Sequence, residues 1–217
     1  MKIEDILHCK DLSILAMEER GSKRFVMAVP HHAPLGVGYL PCPEHSMSDE
    51  NTGFLGAYTA RLLDCPFIVA CNYFIDANKD TSSDYFRKIA SWQPAVLVEL
   101  HGHGGDNANH DIEISCGSKH RNGWSKKLAA SIRTRMNQHD GLNPFNISGD
   151  FKQIFFKARK SLSINTDRWL AFHLEIPKPI RAQDSLYRPF CEMLADSLLE
   201  IVPDEDLLGH PAIQEQA

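Results

Sequence analysis

The sequence predicts an α/β fold with a mainly parallel or mixed central sheet and helices on both faces. Three observations predict it. Short, β-branched-rich apolar runs recur at residues 25–29, 67–71, 95–100 and 169–176, each of strand length and bounded by proline, glycine or polar turns. The stretches between them carry apolar residues at helical spacing. The two kinds of segment alternate along the chain, as they do when parallel strands are joined by crossover helices. With 217 residues, 43% of them hydrophobic and 24% charged, one generous core is affordable, and a single domain over 1–217 is expected.

Residues 1–24 start weakly, with Leu12, Ile14 and Leu15 apolar and a turn at Gly21 and Ser22. The strand at 25–29 is ended by Pro30 and followed by His31 and His32. Pro34, Gly36, Gly38, Pro41 and Pro43 make 34–48 a loop. Ser46 or Ser48 then caps a helix with Asp49 and Glu50 in its first turn, where the helix dipole favours acids. Its apolar stripe is Phe54, Leu55, Tyr58, Leu62 and Leu63. After the strand at 67–71 and a polar loop at 76–80, Ser82 or Ser83 begins a helix through Tyr85, Phe86, Ile89 and Trp92. Pro94 stops it, and the next strand runs into His101, Gly102, His103, Gly104 and Gly105, read as a tight turn. Residues 111–115 alternate as a half-buried strand, 124–136 form a helix, and 137–150 are turn-rich. A segment at 154–156 precedes the strand at 169–176, which Pro177 ends, and a last helix at 186–201 closes the domain.

Several function classes are excluded. The net charge is −5 and no basic block stands out, so nucleic acid is not an expected partner. No apolar run approaches membrane-spanning length. The first residues lack a signal-peptide apolar region, and a cytoplasmic location is expected. Six cysteines lie without any Cys-x-x-Cys pair, which argues against a thiolate metal cluster or a disulfide framework and for reduced, buried thiols.

Polar residues gather just beyond the apolar strands, where open α/β sheets place their sites. They are His31 and His32, Asp76 and Asn78, His101 and His103, and Glu175 within the last strand, with Asp49 and Glu50 beyond the first loop. Two imidazoles and one carboxylate make an open zinc site, whose bound water has a pKa of roughly 7. A further carboxylate must then move the proton. Glu175 suits that role, because Phe172, Leu174 and Ile176 around it desolvate the carboxyl. Asp111 and Glu113 are read as hydrogen-bonding groups rather than ligands. Residue types alone do not choose between His31 and His32, Asp49 and Glu50, or His101 and His103.

The order of these parts resembles the N-formylglutamate amidohydrolases, which look like distant relatives of the zinc carboxypeptidases and aspartoacylases. It runs through the Pro-His turn, the acidic helix start, Asp76-Ala77-Asn78-Lys79, Glu99-Leu100-His101, the Asp111–Ile114 alternation and His173-Leu174-Glu175. The resemblance spans residues 25–181. It implies one zinc ion per chain held by His32 (or His31), Glu50 (or Asp49) and His101, with Glu175 as general base and acid. It also implies that Asn78 and Lys79 hold the substrate, and Arg181 just past the Glu175 strand is a candidate to meet a substrate carboxylate. Lys79 stands where the family has arginine and cannot grip a carboxylate bidentately, so the reading is not tied to formylglutamate. The expected function is zinc-dependent hydrolysis of an amide bond in a small N-acyl amino acid or short peptide. The competing expectation is a non-catalytic metal- or ligand-binding protein on the same fold.

Overall fold

The computed structural model describes residues 1–203, so residues 204–217 of the expected 1–217 domain lie outside the described residues. Its centre is one eight-stranded mixed sheet. The strands are β1 (Ile14–Glu18), β2 (Phe25–Ala33), β3 (Asp49–Glu50), β4 (Phe67–Cys71), β5 (Val96–His103), β6 (Ile112–Ser115), β7 (Ile147–Ser148) and β8 (Leu170–Pro177). Their spatial order is β1-β4-β2-β5-β8-β6-β7, with β3 paired to β2. The central run β4-β2-β5-β8 is parallel, while β1 on β4 and β6 on β8 are antiparallel. The four strongest apolar runs became the four central strands, as full burial on both faces requires.

The helices are α1 (Ile3–Leu7), α2 (Thr52–Leu62), α3 (Asp84–Trp92), α4 (Asn122–Met136), α5 (Lys178–Arg181) and α6 (Asp184–Ile201). One sheet face, with Met27, Val29, Val98, Leu100, Phe172 and Leu174, is covered by α2, α4 and α6 through Leu55, Leu128, Ile132, Phe190 and Leu194. The other face, with Val26, Ala28, Leu97 and Ala171, is covered by α3 through Tyr85, Phe86, Ile89 and Trp92. Ser83 caps α3 by accepting from the Phe86 N–H, as its type and position predict.

Three local expectations are corrected. Asp49 and Glu50 are not a helix start: they form β3, with Asp49 opposite His32 and Glu50 opposite Ala33. The backbone then turns through Asn51 at φ 69° into α2, a left-handed conformation that asparagine tolerates better than most residues. The stretch after Leu100 is not a turn either, because β5 continues through His101, Gly102 and His103 in register with β8 as far as Pro177. At Gly102 a side chain would run into the Arg181 guanidinium, so glycine is needed there for close approach. Finally, β2 does not stop at Pro30. It runs on to Ala33, and its register with β4 slips by one residue between Val29 and His32.

That slip is a β-bulge, and it has a chemical cause. Proline has no N–H for a ladder and in a sheet interior is confined to bulges. Val26 and Ala28 point to the α3 face, so strict alternation would send His32 there too. The extra residue reverses the parity: His31 takes the α3 face and His32 the α2 face.

Candidate metal centre

Alternation along β5 and β8 places Leu97, Glu99, His101 and His103, and Ala171, His173 and Glu175, on the α3 face of the sheet. The parallel register sets His101 beside Glu175 and Glu99 beside His173. The bulge in β2 brings His31 to the same side, and β3 carries Asp49 in from above. Glu99, His101, His173, Glu175, His31 and Asp49 are all buried.

His31, Asp49 and His101 each offer one ligand atom, and the three atoms lie within 4.8 Å of one another. Asp49 Oδ2 is 3.2 Å from His101 Nδ1 and 3.5 Å from His31 Nδ1. These contacts attract, but neither has the alignment of a hydrogen bond, and both Asp49 Oδ2 and His31 Nδ1 are buried without a hydrogen-bond partner. The opposite nitrogen of each ring is held by a second carboxylate. His31 Nε2 bonds Asp76 Oδ1 at 3.0 Å, and His101 Nε2 lies 3.4 Å from Glu99 Oε2. Asp76 is itself bound by Lys79 Nζ at 2.6 Å. Glu99 accepts from the Tyr85 hydroxyl and from Asn78 Nδ2, each at 3.1 Å. Carboxylate-backed imidazoles converging on a shared acid fit a divalent cation: the backing carboxylates fix each ring's orientation and leave the other nitrogen to the ion.

The electrostatics agree with that fit. Burial works to raise the Asp49 carboxyl, but His101 and His31 outweigh it and hold the group far below the usual carboxylate range. Burial likewise opposes charge on His101, yet Asp49 and Glu99 lift it to about 10. A proton on His101 therefore occupies the position a cation would take, and a metal would displace it.

Glu175 differs from the other acids. Desolvation by burial raises its pKa to about 8, with Asp49 adding to the rise and His101 opposing it. His173 lies beside it, with Nε2 3.5 Å from Oε1. Burial drives His173 well below the usual imidazole range. His101, His173 and Glu175 form a second group of close ligand-type atoms, and His31, His45 and Asp76 a third.

The remaining sequence candidates are placed as follows. His32 is turned away from the cluster: its Nε2 pairs with the Leu7 carbonyl at 3.0 Å and its Nδ1 accepts the Gly53 N–H at 3.1 Å. Burial lowers it to about 4, so it is a neutral structural imidazole. Glu50 faces Lys178 Nζ at 2.9 Å and the Gly36 N–H at 3.4 Å. The neighbours of these two residues, His31 and Asp49, stand in the cluster in their stead. His103 binds the Asp111 carbonyl at 2.8 Å and stacks on Phe156. Arg181 is buried and spends its guanidinium on the carbonyls of Ile176, Glu50 and His103, tying β8, β3 and β5 together. Asn78 and Lys79 are likewise engaged, with Glu99 and Asp76. Two participants were not singled out from the sequence, His45 and Tyr85. Nothing in their spacing marks them, because both arrive through tertiary packing.

No protein-family model matches this sequence, and no curated protein matches it. Solved structures do. Gene product Atu2144 from Agrobacterium tumefaciens is 12% identical over 93% of this chain and 100% of that one, with a TM-score of 0.55. A bacteriophage poly-gamma-glutamate hydrolase is 12% identical over 88% of this chain and 90% of that one, with a TM-score of 0.51. An N-acetylmuramoyl-L-alanine amidase from Clostridium difficile 630 is 16% identical over 83% of this chain and 97% of that one, at a TM-score of 0.43. At such identities the likeness is one of fold. The expected α/β architecture is thus shared with proteins that include a named hydrolase, while the narrower likeness to N-formylglutamate amidohydrolases has no matching family model behind it. Among the described residues no helix is long and apolar enough to cross a membrane.

Proposed function

We propose that this protein is a metal-dependent hydrolase that cleaves an amide bond in a small N-acyl amino acid or short peptide. The observation that carries the reading is the buried, underserved Asp49 carboxylate between two imidazoles, each fixed from behind by its own acid. A buried carboxylate needs a positive partner, which the proton on His101 supplies in the metal-free protein and a divalent cation supplies when bound.

His31, Asp49 and His101 hold one divalent ion, with zinc the best match to two imidazoles and a carboxylate. When bound there, zinc supplies Lewis acidity, which acidifies water and polarises a carbonyl. The protein's own contribution is proton movement and positioning. Glu175 lies in register beside His101 and takes a proton from the attacking water, then returns it to the leaving amine nitrogen. Burial, with Asp49 adding to it, raises Glu175 to about 8. A nearby cation works in the opposite sense, lowering the carboxyl's pKa from there toward neutral pH, where one group can both accept and donate. Asp76 and Glu99 keep the two rings in orientation, and Tyr85 and Asn78 keep Glu99 in place. The likeness in fold to a poly-gamma-glutamate hydrolase supports an amide substrate.

The reading is tested by assaying zinc-loaded and chelator-stripped protein against a panel of N-acyl amino acids and short peptides. Hydrolysis by the loaded form alone is the expected result. Zinc uptake without turnover of any panel member would favour the non-catalytic binding reading.

A further inference from the structure

The third group of ligand-type side chains, His31, His45 and Asp76, invites a second ion, but both oxygens of its acid are already engaged. Asp76 Oδ1 is bonded to His31 Nε2 at 3.0 Å and Oδ2 to Lys79 Nζ at 2.6 Å. A lysine ammonium at that oxygen also opposes a second cation. What remains is His45 itself. Its ring stacks on His31 at 3.7 Å between centroids, with the planes 11° apart. Its Nε2 is buried and has no hydrogen-bond partner among the described residues.

The segment carrying His45 is fixed from within. Tyr39 pairs antiparallel with Met47, Leu40 N–H donates to the Ser46 carbonyl and Ser48 N–H to the Gly38 carbonyl. Leu40 and Cys42 pack on Ala33 at the end of β2. The imidazole is therefore held over the cluster by a closed loop. A buried polar nitrogen left without a partner is costly, and here it lies against the ring of a proposed metal ligand.

We propose that His45 is a catalytic residue that donates an Nε2–H hydrogen bond to the substrate oxygen on which negative charge develops. This rests on the reading of the site as a metal-dependent amidase. Of the two cations the sequence offered for the substrate, Lys79 is turned to Asp76 and Arg181 to backbone carbonyls. Among the described residues His45 Nε2 has no acceptor, which leaves it open to a substrate oxygen. No covalent step involves it: the hydrogen bond strengthens as the carbonyl oxygen gains charge and relaxes when the amide breaks.

The test compares wild type, His45→Ala and His45→Gln for zinc content and for affinity toward inorganic phosphate, a tetrahedral oxyanion, in the zinc-loaded proteins. The expected result is equal zinc in all three, a phosphate affinity at least about tenfold weaker in His45→Ala, and partial recovery in His45→Gln, whose amide can still donate. On a substrate found in the panel, His45→Ala should lower kcat by about 10²–10³-fold, the range for losing one oxyanion donor, with KM nearly unchanged. Equal phosphate affinity in the three proteins overturns the inference and leaves the metal reading standing. Zinc lost from His45→Ala also overturns it, since His45 would then be a ligand. A wild type that takes up no zinc removes the underlying reading and this inference together.

Discussion

Glu113 and Glu175 are opposite each other in the antiparallel register of β6 and β8, both buried in one sheet, and they live by different physics. Glu113 Oε1 accepts the N–H groups of Asn109 and His110 at 2.9 and 3.1 Å. Its Oε2 accepts those of Phe155 and Phe156 at 2.8 and 2.7 Å. Four backbone donors satisfy the carboxylate and pin two loops to the sheet. Glu175 has a looser neighbour in His173, with Nε2 3.5 Å away, and is pushed up to about 8 by desolvation. A buried acid with all its partners is a structural clamp. A buried acid without them is unstable as a charge, and is poised to exchange a proton.

Substitution should separate the two. The largest expected effect is on turnover: Glu175→Gln should lower hydrolysis by about 10²–10⁴-fold, the usual worth of a general acid–base group, while zinc content stays equal. The same variant carries a signature in the metal-free protein. The folded-state pKa of Glu175 is raised above its ordinary value of 4.5 to about 8. Its contribution to stability is therefore fully present below pH 4.5 and is lost as pH rises through about 8. Urea unfolding of stripped wild type should weaken between pH 5 and pH 8.5 relative to Glu175→Gln. Parallel pH profiles for the two would place the titration elsewhere.

Next in size, Glu113→Ala leaves four part-buried N–H groups without their acceptor and should cost about 4 kcal/mol. For a chain of this size that is a fall in melting temperature of roughly 10 °C, whereas metal-free Glu175→Gln should melt no lower than wild type at pH 8. A melting temperature for Glu113→Ala within a degree or two of wild type would break the contrast. Smaller again is Asp76→Asn, which loosens the ring of His31 without removing a ligand. Zinc affinity should fall about 10–100-fold with the fold intact, and an unchanged affinity in competition with a chelator would show that Asp76 does not orient His31.

Much of this architecture was legible in the residues. The four buried strands announce themselves by length and β-branching, and α3 by the capping serine at 82 or 83, which the structure places at Ser83. Glu175 stood out because an acid amid Phe172, Leu174 and Ile176 has no cheap explanation. What failed was parity and register. The choice between His31 and His32 turns on one extra residue in β2, and the signal for it was Pro30, which a central strand accommodates only at a bulge. Asp49 and Glu50 look like helix-start acids because that is where acids are locally favoured. Their pairing with β2 is a tertiary contact that no local preference encodes. The same holds for His45, brought to His31 by a loop whose closure depends on backbone bonds at Tyr39, Leu40, Met47 and Ser48.

The most direct test of the central claim uses the adjacent histidines. Wild type, His31→Gln and His32→Gln would be loaded with zinc, dialysed and measured by elemental mass spectrometry. The account predicts about one ion per chain in wild type and in His32→Gln, and loss of the ion from His31→Gln. Zinc kept by His31→Gln but lost from a folded His32→Gln, or a wild type that retains none, would contradict it.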